Sequence, residues 1–80
     1  MENKIAVVAI IVSDINAVEK INATLHDFGD YIIGRLGLPY KKKNVNVISV
    51  VMDAPSEKIN SLTGKLGMLE GVSSKVLTTK

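Results

Sequence analysis

The chain has 80 residues, room for one domain but not two, since pieces of about 40 residues rarely fold unaided. It contains no cysteine and one histidine, which excludes disulfides, thiolate metal sites, cysteine nucleophiles and a His-rich metal cluster within one chain. Ten Lys and Arg against eight Asp and Glu give a net charge of +2, too mild to argue for a polyanionic partner.

Ile5 to Val12 is the longest uninterrupted apolar run, far short of the roughly 18 to 20 residues a membrane-spanning helix needs. Glu2 lies near its start and no small-residue cleavage pattern follows it, so we read no signal peptide and expect a cytoplasmic protein. The run is β-branched and apolar at both alternating sets of positions, the composition of a central strand covered on both faces. Ser13-Asp14-Ile15-Asn16 then supplies turn and cap chemistry. Val18, Ile21, Leu25 and Phe28 recur at helical spacing, which predicts a first helix with Gly29 closing it in the left-handed conformation.

Tyr31 to Leu36 reads as a second strand, and Gly34 and Arg35 suit a sheet edge. Gly37 and Pro39 are expected to open a loop that carries Lys41, Lys42 and Lys43. Val45 to Asp53 is a third strand, with Val47 and Val51 on one face and Ile48, Val50 and Met52 on the other. Pro55 suits the first turn of a second helix, whose buried stripe is Ile59, Leu62 and Leu66 and whose exit is bracketed by Gly67 and Gly71. Val72 to Thr78 ends the chain as a mixed edge strand.

The order βαββαβ is the ferredoxin-like, α+β arrangement: an antiparallel four-stranded sheet, strands one and three central, with two helices on one face. We expect a single domain over 1–80. Helices cover one face only, so the second apolar face of strands one and three requires another cover. Homo-oligomerisation is the strongest inference from the residues.

Few residues carry chemistry. Lys41, Lys42 and Lys43, with Arg35, are possible anion contacts, although three lysines at a hairpin tip also serve simply as a solvated turn that keeps edges soluble. His26 lies about 100° round the helix from inward-facing Leu25 and would meet a metal only if symmetry copies converged, so no metal site is assigned. Gly34-Arg35-Leu36-Gly37 and Gly64-Lys65-Leu66-Gly67 lack the spacing of phosphate-binding loops, and Asn22-Ala23-Thr24 fits a glycosylation pattern by chance within a helix. No carboxylate pair or nucleophile arrangement assembles, so no catalytic residue is assigned and the chain is read as a non-enzyme. The remaining candidate is the turn from strand one into helix one, where Ser13, Asp14 and Asn16 meet free backbone N–H groups. Helix capping alone also explains them.

Asp14-Ile15-Asn16-Ala17-Val18, followed by Ile21, Leu25, Gly29 and Tyr31-Ile32, resembles the ACT-domain pattern Asp-x-Pro-Gly-Val, helix, Gly-x-Asn-Ile. The stretch from His26 to Tyr40, and Ile48 to Pro55 running into Leu62 to Leu69, resembles small ACT-like proteins known as iron-only hydrogenase system regulators, and little of the chain lies outside that likeness. The resemblance implies a domain that assembles through its sheets into dimers or tetramers, similar to the C-terminal domain of nickel-responsive repressors, and regulation rather than catalysis. Asn16 and Ala17 stand where many amino-acid-binding ACT domains carry Pro and Gly, and His26 is alone where the nickel regulators use several His and a Cys. No DNA-binding segment is fused to the domain, which makes direct operator binding unexpected.

These readings converge on an oligomeric regulatory module, a transcriptional or hydrogenase-system regulator. It would bind a small molecule or a hydrogenase-related protein at subunit interfaces near Ser13, Asp14 and Asn16, and the residues name no cofactor. The alternatives are a ligand-free scaffold and a nucleic-acid binder using Arg35 and Lys41 to Lys43, whose binding would fall steeply with salt.

Overall fold

In the computed structural model, which describes residues 2–79, the order is β1 (Asn3–Val12), a 3-10 turn (Ile15–Ala17), α1 (Val18–Asp27), a second 3-10 turn (Gly29–Tyr31), β2 (Ile32–Tyr40), a third (Lys41–Lys43), β3 (Val45–Pro55), α2 (Ser56–Gly67) and β4 (Val72–Thr78). The strands form one antiparallel sheet in the order β2-β3-β1-β4, so the two most apolar strands are central. This is the α+β ferredoxin-like arrangement read from the pattern.

Strand side chains alternate between faces, and the pairing register assigns each to one. Ala6, Val8, Ile10 and Val12 of β1 and Ile48, Val50, Met52 and Ala54 of β3 point to the helices and are buried. Ile21 and Leu25 of α1 and Ile59, Leu62 and Leu66 of α2 close over them. Among the described residues no buried side chain is polar or charged, so the core is held by apolar burial and packing.

Three expectations are corrected. Gly29 does not take the left-handed conformation; among the described residues positive φ occurs at Asn44 and Gly71. The chain instead tightens into 3-10 geometry: the Phe28 N–H donates to the Leu25 carbonyl (3.1 Å) and the Tyr31 N–H to the Phe28 carbonyl (2.9 Å). This satisfies terminal carbonyls while driving Phe28 into the core. Second, Gly37 and Pro39 do not open a loop, because β2 runs to Tyr40 with a register shift between Ile32 and Gly34. An edge strand hydrogen-bonds on one side only, so a proline there need not break the ladder. Third, Pro55 ends β3 and caps α2 instead of opening its first turn, with φ −63° and ψ 153°. That extended ψ is set by its pairing with Asn3 at the end of the β1–β3 ladder.

The opposite face of the sheet is bare. Ile5, Val7, Ala9 and Ile11 of β1 lie beside Val47, Ser49 and Val51 of β3, with Leu36, Leu38 and Tyr40 of β2 on one flank and Leu77 of β4 on the other. Ile11 is 50% exposed, Leu36 58% and Leu77 74%. A contiguous apolar surface across four strands is far more than the scattered apolar side chains of an ordinary monomer surface.

Candidate functional site

Asp14 follows the last residue of β1 with extended backbone (φ −118°, ψ 112°), and its Oδ1 accepts a hydrogen bond from the Asn16 N–H at 2.9 Å. Its own carbonyl accepts from the Ala17 N–H at 2.9 Å, so Asp14 turns the chain from sheet to helix with both its side chain and its backbone. Ser13 faces the other way. Its N–H donates to the Gly71 carbonyl at 2.7 Å and its hydroxyl to the same oxygen at 3.2 Å. The β1–α1 turn is thereby clamped to the connection between α2 and β4.

Gly71 makes that clamp possible. It adopts φ +73°, and a Cβ built on it would stand 2.5 Å from the Asp14 Cβ. Only a residue without a side chain lets the two turns approach this closely.

Between them lies a cleft of about 210 Å³. Asp14, Asn16, Ala17 and Lys20 form one wall, and Met68, Leu69 and Glu70 the other. Asp14 and Asn16 thus share one concavity, while Ser13 is outside its lining and acts as the clamp. The sequence reading missed Lys20, which α1 brings to the same wall, and Glu70 and Gly71, which reach Asp14 only through the α2–β4 connection. Glycine directly before the last strand was the one available signal for that contact. With two carboxylates, one ammonium and one amide on partly apolar walls, the cleft suits a small polar molecule carrying both charge signs, and it contains no nucleophile–base pair.

The other candidates are scattered. Arg35 lies on the helix side of β2, opposite Val50, and its guanidinium donates to the Asn22 Oδ1 on α1 at 2.8 Å. Lys41 to Lys43 sit in the turn beyond Tyr40, about 20 Å farther along the strand at 3.3 Å per residue. Arg35 and the lysines therefore do not form one basic patch. Tyr31 packs against the core beneath Lys58, whose Nζ is 6.0 Å from the ring centroid, whereas Tyr40 lies on the bare face. His26 is exposed on α1, and among the described residues no group of three or more His, Asp or Glu gathers to hold a metal. None of their helices is long and apolar enough to cross a membrane.

A family model described as "TM1266-like: Iron-only hydrogenase system regulator, putative" matches residues 4–76. Among solved structures, the uncharacterized protein TM1266 from Thermotoga maritima is 31% identical, with a TM-score of 0.94 over 99% of this chain and 100% of that one. A formyltetrahydrofolate deformylase from Pseudomonas putida KT2440 is 13% identical with a TM-score of 0.61, covering 92% of this chain and 28% of the enzyme, a likeness of fold alone. No curated protein matches the chain.

Proposed function

The chain belongs to the TM1266-like family of iron-only hydrogenase system regulators, and on that footing we propose that it is a homo-oligomeric regulatory module that takes a small polar ligand in the Asp14–Glu70 cleft. The observation that carries the reading is the bare sheet face. A stable interface buries about 800 Å² per partner. Eight large side chains exposed by 37% to 74%, Ile5, Val7, Ile11, Leu36, Leu38, Tyr40, Val47 and Leu77, supply most of that area. Ala9 and Ser49, side by side at the middle of the face, leave a shallow centre into which a second sheet settles at about 10 Å.

The occupant proposed for this face is a second copy of the chain, because one self-complementary apolar patch builds a two-fold dimer without a dedicated partner. Ligand in the cleft then regulates by binding one subunit arrangement better than another. The cleft's wall is the α2–β4 connection, which leads directly into β4 beside β1, so movement there is transmitted to the sheet.

Native mass spectrometry of the purified protein tests the reading. A dimer or tetramer with a stoichiometric extra mass is expected, and that mass is expected to be lost in the Asp14→Ala, Asn16→Ala variant. A bare oligomer would favour the ligand-free scaffold, and a monomer would overturn self-association.

A further inference from the structure

A second concavity lies on the helix side of the sheet, between α1 and β2, with a volume of about 240 Å³. Its walls are Val18 and Asn22 of α1 and the stretch of β2 from Arg35 through Gly37, Leu38 and Pro39, over Asn46 and Ile48 of β3. Three features set it apart from a surface crease. The Arg35 guanidinium is held at 2.8 Å by the amide oxygen of Asn22, a neutral group that orients the fork without neutralising it. The rest of the fork's donors remain for an oxyanion, and bidentate pairing with a planar carboxylate is what that geometry favours. The floor is open because β2 has glycine at the helix-facing position opposite Ile48, and a Cβ built on Gly37 meets nothing within 4 Å.

We infer that this groove is a binding site for a small organic carboxylate, the carboxylate on Arg35 and an apolar body lying over Gly37 against Val18, Pro39 and Ile48. The volume is below that of drug-sized sites, which restricts the ligand to a small molecule. The site is separate from the Asp14 cleft, and because it opens on the helix side it stays accessible when the bare sheet face is covered.

Titration of the ¹⁵N-labelled protein with hexanoate, followed through backbone amide shifts, tests the assignment. Saturable shifts at Asn22, Arg35, Gly37 and Leu38 are expected with a dissociation constant on the order of 1 mM, as befits so small a ligand. Arg35→Gln removes the charged donor and is expected to weaken binding about tenfold or more. Gly37→Val puts a branched side chain over the floor at a position where a Cβ meets nothing within 4 Å, and is expected to abolish the shifts while leaving the spectrum folded. Absence of shifts, equal shifts with 1-hexanol or with inorganic phosphate, or unchanged binding in both variants would overturn the inference. Oligomeric state has no part in this readout, so its failure and that of the regulatory reading are distinguishable.

Discussion

Gly71 holds the β1–α1 turn and the α2–β4 connection together, and its demands are steric. Alanine there would carry a Cβ into Asp14 and hold a positive φ that L side chains resist. Gly71→Ala is expected to cost about 2 to 3 kcal/mol in urea unfolding, more than a surface change and less than loss of a core. Asp14→Ala leaves the Asn16 N–H without its acceptor, and the same measurement should register about 1 kcal/mol. Capping chemistry at Asp14 was legible in the sequence because side chain and recipient N–H are two residues apart. The partnership of Asp14 with Gly71 was not, since the residues lie far apart in the chain and meet only after the sheet has formed.

At the scale of elements, the helices are fixed by their apolar stripes and the edge strands by what pairs with them. Leu62 is fully buried beneath α2, so Leu62→Ala removes packed volume from the single core and is expected to cost about 2 to 5 kcal/mol. Fluorescence of this Trp-free protein is weak, and circular dichroism during urea unfolding is the suitable measurement. β2 shows where pattern reading fails: Gly37, Leu38 and Pro39 read locally as loop, yet each pairs with β3, through Ile48, Val47 and Asn46. A neighbouring strand of strong β-formers imposes extension on residues that have little preference of their own. Hydrogen exchange should therefore separate the strands, with amides of β1 and β3 the slowest and those of β2 from Gly37 onward among the fastest in the sheet.

The two faces of β1 give the whole molecule its most direct test. Val8 faces the core and is inaccessible; Val7, its neighbour, faces the bare side, opposite Val51 and Leu77. Val8→Lys buries an unpaired charge and is expected to prevent folding. Val7→Lys is expected to leave the domain folded by circular dichroism and to convert the proposed homo-oligomer to monomer in sedimentation velocity; a variant that sediments as an oligomer would place the contact elsewhere. Strand order, the helical stripes, the core and the apolar second face were determined by the sequence itself, because period-2 and period-3.6 patterns are local and each residue reports its own burial. The tertiary structure alone decided the extension of β2, the tightening at Phe28 and the two concavities. These join residues distant in the chain, and steric fit between such residues leaves no periodic trace in the sequence.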